Sequence, residues 1–248
     1  MPEYGRIRIG EQVKLNESYT LGVESAGQFE LWKLKVGDAV TVSDAECKLF
    51  RARVLELGGS SPRVYVFEEN GVILRGPEIT LLQALPEKER MELIIQKTSE
   101  LGASVIIPFK STRSISLEER DSRQKKAHKW QDVALKASKQ SRSEFITRVY
   151  PYASFAEALE TTKDASLKIA LWERPGIKLL KDVLADAKKE RIGKAAILIG
   201  PEGGLEEEEI NKTIDAGFVP VSLGRRILRT ETASIMAVGL IRYELSGL

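Results

Sequence analysis

Two hydrophobic rhythms divide the chain. In the first, apolar positions recur every second residue. Phe50, Ala52 and Val54 alternate with Arg51 and Arg53, the period of a half-buried strand. The alternation shifts phase by one residue at Leu55-Glu56-Leu57, which predicts a bulge or a strand end there. Ala39–Val42 and Arg63–Phe67 are further predicted strands. Gly37-Asp38 and Gly58–Pro62 read as turns, Glu69-Asn70-Gly71 as one more hairpin turn, and Leu74–Glu78 as a linker. Several short strands joined by tight turns predict a small barrel.

From Ile79 onward apolar strands alternate with amphipathic helices. The predicted strands are Ile79–Ala84, Ser104–Phe109, Phe145–Tyr150, Ser166–Trp172, Ala195–Gly200 and Phe218–Leu223. Helices are predicted over Glu87–Leu101, Ile177–Arg191, Leu205–Ala216 and from Thr230 to Leu245. This alternation predicts an α/β fold, with a mostly parallel sheet covered on both faces.

Composition narrows the chemistry. The 248 residues include one cysteine, Cys47, and one histidine, His128. That count excludes an internal disulfide and disfavours a His-based triad or a multi-ligand transition-metal site. No metal is expected. No apolar run approaches the roughly 20 residues of a membrane helix, and the N-terminus lacks an apolar signal core, so the cytoplasm is the expected compartment and no membrane the expected partner. Net charge is only +2, so any nucleic-acid contact must come from local patches.

Two constellations near the C-terminus carry the candidate chemistry. Leu198-Ile199-Gly200-Pro201-Glu202-Gly203-Gly204 is a buried strand running into a glycine-rich turn, where α/β sheets bind ligands. The same turn could serve as a plain connection. Glu206–Glu209 open the following helix. They complement its dipole, and they would repel a pyrophosphate. The turn therefore suits a cofactor without phosphates, such as S-adenosylmethionine. The second stretch, Leu223-Gly224-Arg225-Arg226-Ile227-Leu228-Arg229-Thr230-Glu231-Thr232-Ala233, sets three arginines beside an apolar pair just before a helix that Thr230 caps. A capped basic loop explains Thr230 and Glu231. The arginines suggest anion contacts beside an apolar slot.

These two stretches together resemble the bacterial family that methylates N3 of a uridine in 16S ribosomal RNA, within the SPOUT superfamily of knotted methyltransferases. Gln96–Gly102, Ile107-Pro108, Arg113-Ser114 and Leu34–Asp38 match the same family. The resemblance implies a PUA-like β-barrel over residues 1–72, then a SPOUT methyltransferase domain over 73–248 whose C-terminal segment forms a trefoil knot. It implies S-adenosylmethionine as cofactor and a homodimer with 16S ribosomal RNA or the small ribosomal subunit as partner. The cofactor pocket falls by position on Leu171 and Trp172, on Leu198, Ile199, Gly200, Pro201, Gly203 and Gly204, and on Leu223, Gly224, Arg226, Ile227 and Leu228. The chain departs from the family at Lys33, in the place of an arginine, with no histidine before its stretch, and at Lys139, in the place of a glutamate.

Uridine N3 lies on the Watson–Crick edge, so the target must be unpaired or flipped out. Its proton must leave before nitrogen becomes a good nucleophile. An arginine near O2 or O4 would stabilise the resulting anion, and Arg229 and Arg113 are the candidates. Glu231 and Glu202 are candidates to accept the proton or to orient an arginine, beside structural roles as helix cap and turn residue. Arg123, Lys125, Lys126, Lys129, Lys136, Lys139 and Arg142 are predicted on one helix with Asp132. Arg6, Arg8, Arg51 and Arg53 could extend a phosphate-binding patch, though such a run also suits a plain solvated face. His128 reads as a surface residue. Other readings are a related methyltransferase acting on another RNA or base, a non-catalytic ribosome-binding factor, and, more distantly, a dinucleotide-dependent oxidoreductase.

Overall fold

A computed structural model of the chain describes residues 4–58, 61–73, 76–86, 88–114, 129–174 and 176–246. The chain divides into two compact units. One comprises Pro2–Arg75 with Leu135–Ile146, and the other Gly76–Ala134 with Thr147–Leu248.

The first unit is a curled five-stranded sheet, ordered β1-β3-β4-β5-β2. Its strands are β1 (Ile7–Arg8), β2 (Ser18–Thr20), β3 (Ala39–Ser43), β4 (Lys48–Glu56) and β5 (Arg63–Val72), with helix α1 (Val23–Leu31) between β2 and β3. The alternation in β4 does what its period demands. Phe50, Ala52 and Val54 are buried with Val64 and Val66 of β5, around Trp32 and Ile7. The phase shift at Leu55 coincides with a break in the β4–β5 register between Val54 and Glu56. Glu69-Asn70-Gly71 is not a turn. It continues β5, where Glu69 pairs with Phe50 and Val72 with Lys48, and Gly71 takes φ +90°. The irregular register of that pair lets the strand run on through residues that ordinarily end one.

The second unit holds a seven-stranded sheet, ordered β10-β12-β9-β11-β6-β7-β8, in which every pairing is parallel. The strands are β6 (Glu78–Ala84), β7 (Val105–Phe109), β8 (Arg148–Val149), β9 (Leu167–Leu171), β10 (Lys178–Leu179), β11 (Lys194–Ile199) and β12 (Val219–Ser222). The helices are α2 (Lys88–Glu100), α3 (Trp130–Gln140), α4 (Phe155–Glu160), α5 (Leu180–Ala187), α6 (Glu207–Asp215) and α7 (Thr230–Ser246). Only Trp130–Ala134 of α3 belongs to this unit. Both faces of the sheet are covered, as parallel sheets require. On one face Leu81, Ile169 and Ile197 pack with Ile94 and Ile95 of α2, Leu184 of α5 and Val238 of α7. On the other, Leu82, Ala170, Ala196 and Leu198 pack with Ala158 of α4 and Ile210 of α6.

Several predicted elements return with shorter bounds. Of Phe145–Tyr150 only Arg148–Val149 pairs as strand, because Phe145 and Ile146 are buried in the first unit. The helix expected from Ile177 starts at Leu180, because Lys178 and Leu179 first pair with Val221 and Ser222. The expected basic helix is also shorter. Arg142 lies beyond α3 in a left-handed conformation, φ +57°, paired with Glu68 at 3.1 Å. Arg123, Lys125, Lys126 and His128 lie outside the described residues.

Candidate active site

The carboxyl ends of β9, β11 and β12 open into a cavity of about 610 Å³, the position at which parallel α/β sheets bind ligands. Three segments wall it: Leu171–Arg174 after β9, Ile199–Leu205 after β11, and Ser222–Thr230 between β12 and α7. The last of these omits Gly224 and Arg225, which stand clear of the cavity. Arg90 of α2, Arg113, Glu207, Val221 and Ala233 complete it.

The glycine-rich turn is held from two sides. Within it, Gly204 N–H donates to Pro201 O at 2.9 Å, and Gly204 adopts φ +70°, a backbone that favours glycine. From behind, Thr230 Oγ1 donates to Gly200 O at 2.7 Å and accepts from Gln83 Nε2 at 3.2 Å. The Ser234 hydroxyl lies 2.5 Å from Gln83 Oε1. Gln83 and Ser234 are fully buried and Thr230 nearly so, so this chain of hydrogen bonds ties the end of β11 to the start of α7 through the neighbouring strand β6. Buried networks of this kind fix geometry because each partner is costly to leave unmatched. Thr230→Val should therefore cost about 1–3 kcal/mol of stability and weaken ligand binding in the cavity about tenfold. Thermal unfolding and calorimetric titration would measure the two effects, and unchanged affinity would sink the positioning role.

Charge is distributed unevenly around the cavity. Arg113 Nη1 donates to Gly203 O at 2.7 Å, and its Nε lies 3.6 Å from Glu206. Arg90 pairs with Glu202 at 2.9 Å. Arg174 pairs with Glu207 at 3.2 Å and stacks on Trp172, its guanidinium carbon 4.7 Å from the ring centre. Glu173 Oε1 accepts from Leu228 N–H at 3.3 Å, joining two walls. Arg226 and Arg229 face the cavity without an ion pair among the described residues. Ile227 is 83% exposed. The four carboxylates Glu206–Glu209 each have their own partner. Beyond the pairs already named, Glu208 pairs with Lys212, and buried Glu209 accepts from the Thr112 and Glu206 backbones.

Most of the sequence-predicted residues meet here. Leu171, Trp172, Ile199, Gly200, Pro201, Gly203, Gly204, Leu223, Arg226, Ile227 and Leu228 line the cavity, with Arg113, Glu202 and Arg229. Leu198 does not, because strand alternation turns its side chain into the core beneath α6. Glu231 does not line it either, and its Oε2 is buried with no hydrogen-bond partner among the described residues. Arg90 has no local signal and reaches the cavity only through tertiary structure, whereas Arg174 and Ala233 join it from beside and within the predicted stretches.

In the first unit, Arg6 is only 5% exposed and lies 3.5 Å from Glu144, so it is withdrawn from the surface that an RNA-contacting residue must present. Arg8 and Lys129 are exposed. Arg51 donates to Thr41 Oγ1 at 2.9 Å, and burial together with Arg142 pushes its guanidinium below the usual arginine range. Arg53 donates to Gly37 O at 2.9 Å. The two departures from the family pattern meet: Lys139 Nζ donates to Lys33 O at 3.4 Å and lies 3.8 Å from Asp38, while Lys33 takes φ +48°.

Fold and cavity define an α/β protein with a ligand site at the carboxyl ends of a parallel sheet, rich in backbone glycines and arginines. The family model for the RNA methyltransferase domain matches residues 75–242. The chain belongs to that family. It is similar to ribosomal RNA small subunit methyltransferase E of Bacillus subtilis, with 32% identity over 67% of this chain and 66% of that one, just under two thirds of the relative's length. The protein of the same name from Buchnera aphidicola of Acyrthosiphon pisum is 28% identical over 94% of this chain and 90% of its own. The crystal structure of a ribosomal RNA small subunit methyltransferase E from Neisseria gonorrhoeae, bound to S-adenosyl methionine, superposes with a TM-score of 0.65 at 26% identity, covering 97% of each chain.

Proposed function

We propose that this chain is an S-adenosylmethionine-dependent methyltransferase acting on N3 of a uridine in the 16S RNA of the small ribosomal subunit. The observation that carries it is the meeting of the turn Gly200–Gly204 and the arginine loop Arg226–Arg229 at one cavity, in a chain of the RNA methyltransferase family. The related proteins named for the small subunit supply the substrate class.

The residues fit the cofactor. Among the described residues no lysine lines the cavity, and the carboxylates Glu173, Glu202 and Glu207 on its walls tolerate a cationic cofactor. Leu171, Ile199, Leu223 and Leu228 offer apolar surface for an adenine, and the backbone of Gly200–Gly204 is open to close approach. When bound, S-adenosylmethionine supplies a methyl group on a sulfonium, activated for in-line transfer to a nucleophile.

The rest of the chemistry belongs to the protein. Arg229, in no ion pair among the described residues, stabilises the uridine anion at O2 or O4. Glu202, held by Arg90, takes the N3 proton. Arg113 holds the glycine turn through Gly203 O and so acts as a positioning residue. Glu231, off the cavity wall, contributes its charge at the first turn of α7. Exposed Arg8 and Lys129 contact RNA phosphates, with Arg123 and Lys126 beside them in sequence. The finer architecture follows the same reading: a PUA-like barrel over 1–72, a knotted SPOUT domain over 73–248, a homodimer, and a cytoplasmic setting.

The test is methyl transfer from labelled cofactor to small subunits purified from a strain lacking this protein, with the product nucleoside identified by mass. N3-methyluridine at one site is expected. Absence of transfer to subunits and to naked 16S RNA overturns the ribosomal assignment.

A further inference from the structure

A second cavity, of about 520 Å³, lies in the same unit beyond the wall of the first. Two elements form that wall. In the loop after β7, Arg113 lines the first cavity while Ser111 and Thr112 line the second. In the first turn of α6, Glu207 faces the first and Glu209 the second. Thr112 N–H donates to Glu209 Oε1 at 2.8 Å, binding the two elements together.

The second cavity has the makings of a nucleotide site. Tyr152 and Phe155 present half-buried aromatic rings, and Phe155 is backed by buried Phe109, ring centres 5.5 Å apart at 59°. The carboxylates at its edge are already engaged. Glu209 accepts from Thr112 and Glu206, and Glu157 accepts from Ser154 N–H at 2.8 Å and Ser154 Oγ at 2.7 Å. The Ser154 hydrogen bonds hold the Glu157 carboxyl below its usual range, so it stays an acceptor for the helix cap. Lys212 is matched by Glu208, whereas exposed Lys110 makes no ion pair among the described residues.

We propose that this cavity binds the nucleotide next to the target uridine on the same RNA strand, its base on Tyr152 and Phe155 and its phosphate on Lys110. The proposal rests on the methyltransferase reading above. A target extruded for reaction at N3 leaves its neighbour unstacked, and an aromatic surface beside a cation is what single-stranded RNA seeks. Residues of the loop after β7 and of the first turn of α6 line both cavities, so a strand that enters one lies close to the other.

The test uses the RNA substrate that the wild-type protein methylates, with an abasic residue placed on either side of the target in turn. For the wild type, one of the two abasic substrates should show a KM for RNA about tenfold higher. Tyr152→Ala should show that higher KM on intact RNA and no further rise on the abasic one. Lys110→Ala should raise KM for RNA with a shallower salt dependence, and Lys110→Arg should restore it. Cofactor affinity should not change in any variant, which controls for folding. The assignment is overturned if the variants match the wild type on intact RNA, or if the abasic penalty persists in full in Tyr152→Ala. If the wild-type protein methylates no ribosomal RNA at all, the ribosomal assignment above fails, and this assignment with it.

Discussion

Arg229→Ala should lower the rate of methyl transfer to RNA by about 100- to 1,000-fold, the usual effect of deleting a group that stabilises developing charge, while cofactor affinity stays within about twofold. The expectation comes from how the arginines of the cavity are employed. Arg90 is paired with Glu202, Arg174 with Glu207, and Arg113 with the Gly203 carbonyl. Each of these holds a wall in place, and moving one onto the substrate would break the site that it supports. Among the described residues Arg226 and Arg229 have no such duty, and of the two Arg229 stands next to α7. Arg229 sits one residue before α7 and lines the cavity, and its backbone carbonyl accepts from Ala233 N–H at 2.8 Å. Arg229→Lys should recover only part of the rate, since an ammonium keeps the charge but lacks the planar fork that meets two acceptors. Single-turnover rates at saturating RNA and cofactor separate this loss from a binding defect. A full single-turnover rate in Arg229→Ala would assign the anion-stabilising role to another group.

How far the sequence reveals this molecule depends on the range of the forces involved. Strand alternation is local, and it locates Phe50, Ala52 and Val54 on the buried face and even the register break at Leu55. The Gly200–Gly204 turn is legible because strand end, glycines and helix start are contiguous. The capping box of α4, Ser154 with Glu157, is equally local. Other features have no local signature. Lys178 and Leu179 become strand only because β12 offers an open edge, so a helical periodicity begins three residues too early. Phe145 and Ile146 have the apolar character of a strand in the parallel sheet, yet they are buried in the other unit. Leu198 sits inside a ligand-binding motif but points away from the ligand, because neighbouring residues in a strand face opposite sides. Gln83 is the clearest case. A buried glutamine in a central strand looks like a defect until Thr230 and Ser234, 147 and 151 residues later, hydrogen-bond to it.

Gly200→Val should weaken cofactor binding about 100-fold, in line with the roughly 1–3 kcal/mol that overpacking a tight site costs. Gly200 is not required for a left-handed backbone, which Gly204 alone supplies in this turn. It is required for space. A Cβ there would lie 3.1 Å from Leu205 Cγ, 3.2 Å from Leu205 N and 3.3 Å from the Gly204 carbonyl carbon, and two of those three atoms are backbone. They cannot retreat easily, because Gly204 N–H is bonded to Pro201 O and Leu205 is buried in the core beneath α6. The Gly200 carbonyl is itself held by Thr230 Oγ1. The added methyls must therefore be accommodated by moving the turn that faces the cavity, and the backbone atoms that approach the cofactor move with it. Gly200→Ala, with the Cβ alone, should lose about tenfold, since its contacts ask the neighbours to give by only a few tenths of an ångström. Calorimetric titration of the cofactor into each variant measures the series, and the melting temperature reports whether the fold survives. The ordering glycine, alanine, valine tests the steric account itself. Equal affinities across the three would mean that the turn yields freely and that the cofactor does not depend on its backbone.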